Sequence, residues 1–131
     1  MKAMALIKGI GDDHTAEILA LIRQGENSSV EFKSANAHPD SLARELVAFA
    51  NTQGGTLLIG VEDDGSISGL TESTDHEARI ANIARNNVNP PINIESTMVA
   101  MPEGRILMVK VDRGRDRPYQ TLQNQFLVRV G

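Results

Sequence analysis

Apolar residues change their spacing several times along this chain, and each change marks an element. Between Thr15 and Gln24, Ile18, Leu19, Leu21 and Ile22 recur at helical intervals, and Gly25 is placed to end that helix. Val30-Glu31-Phe32-Lys33 alternates, which predicts a strand with Val30 and Phe32 toward the core and Glu31 and Lys33 sharing the other face. Leu42, Leu46, Phe49 and Gln53 return to the helical period, with Asp40 at the predicted N-cap and Gly54-Gly55 at the predicted stop. The run Thr56-Leu57-Leu58-Ile59-Gly60-Val61 lacks alternation, so it predicts a central strand covered on both faces. Asp64-Gly65 then predicts a two-residue hairpin turn, with Asp63 at its mouth.

Further on, Thr74-x-x-Glu77 has the form of a capping box opening a helix with Ile80, Ile83 and Ala84 on its buried stripe. Asn89-Pro90-Pro91 stops that helix, because proline lacks the donor and restricts the residue before it. Residues 92–101 and 105–111 read as a strand pair around Pro102-Glu103-Gly104, the second of them central. Residues 125–130 alternate as a last strand. The pattern is that of an α+β domain: a mixed central β-sheet flanked by about three helices. Ending on a strand suggests the N-terminal part of a longer protein, with 1–25 as a helical extension and 26–131 as the domain proper.

Composition narrows the function classes. There is no cysteine among the 131 residues, so no disulfide framework or thiolate zinc site is available, and a reducing cytoplasmic setting is expected. The opening MKAMALIKGIG resembles neither a full signal peptide nor a membrane helix. The formal net charge of −4 argues against a uniformly basic nucleic-acid binder, but the average hides an asymmetry. Residues 105–131 carry six basic side chains against two acidic ones, a balance of +4, which leaves −8 on residues 1–104. One face could therefore meet a polyanion through Lys110, Arg113, Arg115, Arg117 and Arg129, although a solvated loop of mixed charge has the same composition. His14, His38 and His76 lack metal-ligand spacing and suit helix ends or solvent. The glycines do not form G-x-x-x-x-G-K-[ST], so no ATP site is predicted. Aromatic content of 3% leaves few platforms for stacking single-stranded bases.

Four ordered motifs then carry a resemblance: Glu26-Asn-Ser-Ser-Val-Glu31-Phe-Lys33, AFANTQGG, LLIGVEDDGSISG, and a late PY followed by FLVRVG. Together they resemble the Schlafen AlbA-like domain family over residues 26–131. The resemblance implies a mixed sheet flanked by helices. It also implies a nucleic-acid-binding module, DNA in preference to RNA, of the kind found in bacterial proteins assigned as transcriptional regulators or helicase-like proteins. In animal Schlafens the related domain looks like an RNA-cleaving core built on three carboxylates. Carried over by position, these fall on Glu26, Glu31 and Asp63, where hard cations such as Mg²⁺ or Mn²⁺ would find oxygen ligands, and Lys33 would contact a phosphate. Glu62 stands where an acidic residue is also common in the family, with its side chain expected opposite to Asp63.

Each carboxylate also has an ordinary explanation: Glu26 follows a helix end, Glu31 lies on a possible edge strand, and Asp63 lies beside a turn. The leading expectation is therefore a nucleic-acid-binding module of a regulator-like protein. A divalent-metal-dependent nuclease is the alternative, and a self-associating scaffold the third. Because animal Schlafens resemble two such units side by side, a homodimer is the arrangement the resemblance implies for a single-unit chain.

Overall fold

A computed structural model describes residues 3–130, and the side chains of residues 14–130. Met1 and Lys2, which open the chain, and Gly131, which closes the FLVRVG motif, lie outside the described residues. In chain order the elements are α1 (Ala3–Gln24), β1 (Val30–Lys33), α2 (Pro39–Asn51), β2 (Gly55–Ile59), α3 (His76–Asn86), β3 (Val88–Asn89), β4 (Ile94–Met101), β5 (Gly104–Val111) and β6 (Gln120–Thr121). The main sheet has the order β1-β2-β5-β4, with β1 parallel to β2 and the other pairs antiparallel. β3 and β6 form a separate antiparallel pair. This is the expected α+β architecture, with three helices among the described residues.

The uninterrupted apolar run of β2 is explained by its place in the sheet. Leu57 and Ile59 face a core shared with Leu42, Leu46 and Phe49 of α2 and with Ile80 and Ile83 of α3. Leu58, with Val61 just beyond the strand, faces a second core with Phe32, Ile106, Met108 and Ile18 of α1. Each such fully buried side chain contributes about 1.5–3 kcal/mol relative to exposure. Ile18 of α1 is completely buried in that second core.

Local chemistry moved several boundaries. α1 begins at Ala3 rather than near Thr15; no proline interrupts it, and glycine at 9 and 11 only weakens a helix. It ends as expected at Gly25, whose positive φ lets its N–H reach the carbonyls of Leu21 and Ile22. The N-cap of α2 is His38 and not Asp40: Pro39 takes the first helical position, so His38 Nδ1 accepts from Asp40 N at 3.1 Å. α2 stops at Asn51, leaving Gln53 exposed outside it. α3 is capped by Asp75, whose carboxylate accepts from Ala78 N at 3.0 Å, in place of Thr74. His76 is buried at the first position of α3, with Nε2 3.2 Å from both oxygens of Thr71.

The turn after β2 has three loop residues rather than two. Glu62 O accepts from Gly65 N, Glu62 N donates to Ser66 O, and a single bridge pairs Val61 with Ile67. Asp63 and Asp64 occupy the turn, and Gly65 takes the left-handed position that follows it. Asp64 Oδ1 accepts from both Ser66 N and Ser66 Oγ, which fixes the loop locally.

Residues 125–130 join no sheet among the described residues, contrary to the predicted last strand. Gln125 pairs with Thr121, and beyond it the partners are side chains at the end of α2: Asn51 Nδ2 donates to Leu127 O at 2.9 Å, and Thr52 Oγ1 accepts from Arg129 N at 2.8 Å. The alternation persists, with Leu127 packed on the core while Phe126, Val128 and Val130 are exposed.

Candidate functional site

Two charged regions flank the sheet and α2. The first grows from β1, an edge strand whose register places Glu31 beside Leu57 and Lys33 beside Ile59. Alternation turns Glu31 and Lys33 toward α2, where Ser41 and Glu45, four residues apart, share one face. Lys33 Nζ donates to Ser41 Oγ at 2.9 Å and lies 3.4 Å from Glu45 Oε2. Arg129 enters from the C-terminal segment. Its Nη1 is 2.9 Å from Glu31 Oε1 and 2.7 Å from Glu45 Oε1, and the guanidinium carbon stands 4.6 Å from the Phe49 ring centroid. Nε donates to Ser28 O, and Nη2 to Asn27 O and Val30 O.

Glu26 sits at the outer edge of β1, where its Oε2 accepts from Phe32 N at 3.0 Å. That N–H points away from β2 and would otherwise be a free sheet-edge donor. The Glu26 carboxyl is raised above its ordinary value, first by partial removal from water and then by its hydrogen bond to Glu31; Phe32 N and Lys33 act in the opposite sense. A raised acid binds its proton more tightly in the folded state. Its stabilising contribution is therefore complete below about pH 4.5 and is lost as pH rises through the folded value. Urea midpoints measured from pH 4 to 7 are expected to show wild type losing stability relative to Glu26→Gln as pH increases. A difference that stays constant across that range would contradict the assignment.

Asp63, the third carboxylate of the expected set, is exposed on the loop beyond β2. The structure thus brings Glu26, Glu31 and Lys33 together, adds Glu45 and Arg129, and leaves Asp63 on a separate loop. Among the described residues no three acidic or histidine side chains are grouped so as to hold a metal ion. In this arrangement the residues do not fit the Mg²⁺ or Mn²⁺ that the resemblance implies, since Asp63 is not grouped with the two glutamates and an arginine cation stands 2.9 Å from Glu31 Oε1. Glu45 escaped the sequence reading because its role depends on a partner 84 residues away. Its spacing from Ser41 was the one local signal.

The second region is the loop from Asp112 to Pro118. Gly114 N donates to Ala50 O at 2.8 Å, and Asp116 N donates to the Tyr119 hydroxyl at 3.0 Å. The ring of Tyr119 is buried against Gly114, where a Cβ would meet it at 2.1 Å. Asn51 anchors Tyr119 further, accepting from its N at 2.7 Å and donating to its O at 2.9 Å. On this pinned frame Arg113, Arg115 and Arg117 are exposed, and among the described residues none of the three is ion-paired. Arg117 donates to Gly114 O. Arg113 and Arg115 line a cleft of about 360 Å³ with Asp112, Asp116, Ile92 and Tyr119. Lys110 lies elsewhere, 2.9 Å from Glu17 of α1. Of the five basic residues singled out in the sequence, three therefore share one loop, while Lys110 and Arg129 face carboxylates.

No helix among the described residues is long and apolar enough to cross a membrane. The solution structure of the N-terminal domain of a RecG-related protein from Nitrosomonas europaea superimposes with a TM-score of 0.68 at 22% identity, covering 88% of this chain and 87% of that one. The crystal structure of the DIP2311 protein from Corynebacterium diphtheriae gives a TM-score of 0.64 at 21% identity, over 89% of this chain and 29% of that longer one. No curated protein matches the chain. The family described as Schlafen, AlbA_2 matches residues 26–131, the span over which the four motifs, the sheet and the two charged regions lie. The chain belongs to the Schlafen AlbA_2 family.

Proposed function

We propose that this chain is a nucleic-acid-binding module that holds the phosphate backbone, DNA in preference to RNA, through Arg113, Arg115 and Arg117. The observation that carries this reading is the presence of three exposed guanidinium groups, without carboxylate partners among the described residues, on one loop. Hydrogen bonds donated by Gly114 N to Ala50 O and by Asp116 N to the Tyr119 hydroxyl hold that loop in place. A guanidinium offers a planar fork of donors matched to phosphate oxygens, and a pinned loop loses less freedom on binding than a mobile one. The RecG-related protein of Nitrosomonas europaea takes its name from a DNA helicase, and family membership adds support of the same kind. Backbone contacts of this sort position a duplex without reading its sequence.

Fluorescence anisotropy with labelled duplex DNA tests the reading. Changing Arg113, Arg115 and Arg117 together to Gln is expected to weaken binding by roughly tenfold or more at low salt. It should also make the salt dependence shallower by about one unit of log–log slope per lost contact. An unchanged affinity in a folded triple variant would sink the proposal.

A further inference from the structure

The carboxylate cluster contains two cations of the protein itself: Lys33 lies beside Glu45 alone, whereas Arg129 reaches both carboxylates. Arg129 stands between Glu31 and Glu45, with 2.9 Å and 2.7 Å contacts, and points its other donors at the carbonyls of Asn27, Ser28 and Val30. Its carbon lies over the Phe49 ring at 4.6 Å. We infer that Arg129 is the resident counter-ion of this cluster, and that it closes Glu31 and Glu45 to divalent metal for as long as residues 125–130 lie along the end of α2.

The chemistry of the two cations supports this assignment. A guanidinium spreads its charge over a plane and accepts several partners at hydrogen-bond distance, and here each of its nitrogens has one. Mg²⁺ or Mn²⁺ needs oxygen ligands drawn much closer, at near-octahedral angles, and carboxylates turned toward one fork must first release it. Displacement of the tail would take the guanidinium away from both carboxylates. The tail is held by Leu127 O on Asn51, by Arg129 N on Thr52 and by Leu127 against the core, while Phe126, Val128 and Val130 contribute little burial.

Titration with Mn²⁺, followed by electron paramagnetic resonance of the free ion and by thermal shift, separates the possibilities. The full chain is expected to take up no Mn²⁺ below about 1 mM and to show no shift in melting temperature. Arg129→Ala, studied in the cold, is expected to bind Mn²⁺ at least tenfold more tightly and to regain part of its lost melting temperature. Arg129→Lys, which keeps a cation in place, should behave like wild type. Uptake by wild type at micromolar Mn²⁺ that disappears in Glu31→Gln would overturn the inference, as would a folded Arg129→Ala that gains no affinity. If Arg129→Ala does not fold, the wild-type titration with its Glu31→Gln control still decides between uptake and none.

Discussion

Arg129→Ala is expected to destabilise the domain by about 3 kcal/mol, read as a lower urea midpoint at unchanged slope. The Arg129 side chain is only 11% exposed, and the side chains of its partners Glu31 and Glu45 are 18% and 19% exposed. Removing one member of such a group costs more than the pair contributes, because Glu31 loses its cation and Glu45 keeps only Lys33, 3.4 Å away. Loss of the Phe49 contact adds about 0.5–2 kcal/mol, and three backbone carbonyls lose donors. The estimate stays at the low end because Glu31 and Glu45 border a cleft of about 430 Å³ through which water can reach them. For a chain of this size, 3 kcal/mol corresponds to roughly 10 °C in melting temperature. A loss below about 1 kcal/mol would mean that the cluster behaves as an ordinary surface ion pair.

Gly54→Ala is expected to cost a similar amount, about 2–5 kcal/mol, by a different route. Gly54 has φ of +77°, and a Cβ there would stand 2.4 Å from Val111 O and 3.0 Å from Arg113 N. Both neighbours are backbone, so neither can rotate away. Strand β5 ends at Val111 and the arginine loop begins just after it, so relief of the clash must move the base of that loop. The variant should therefore lose nucleic-acid affinity as well as stability. Calorimetry that finds Gly54→Ala within 1 kcal/mol of wild type would contradict the close approach of these two segments.

Where the sequence was most legible, a residue's environment was set by its own neighbours. The unbroken run through Leu57 and Leu58 marked a strand covered on both faces, and the alternation of Val30 to Lys33 placed Glu31 and Lys33 on one side of an edge. Gly25 and Gly54 were recognisable because a helix end requires φ values that other residues avoid. The caps of α2 and α3 were less legible, since several residues near each start are able to accept a backbone N–H, and Pro39 settled the matter for α2. The tail shows the limit of local pattern. Residues 125–130 alternate as a strand would, yet Asn51 and Thr52 offer side-chain partners, and Arg129 meets a carboxylate 98 residues away. The same limit divided the basic residues. Composition placed Lys110, Arg113, Arg115, Arg117 and Arg129 in one positive segment, whereas folding turned Lys110 to Glu17 and Arg129 to Glu31 and left three guanidinium groups exposed.

The most direct test of the phosphate-gripping loop is the affinity of the wild-type chain for labelled duplex DNA, with a structured RNA in parallel, across a salt series from 50 to 200 mM. Three phosphate contacts predict a straight line of log affinity against log salt with a slope of about −2 to −3, and tighter binding to the DNA. An affinity that does not change with salt, or no binding to either polymer at the lowest salt, would contradict the account.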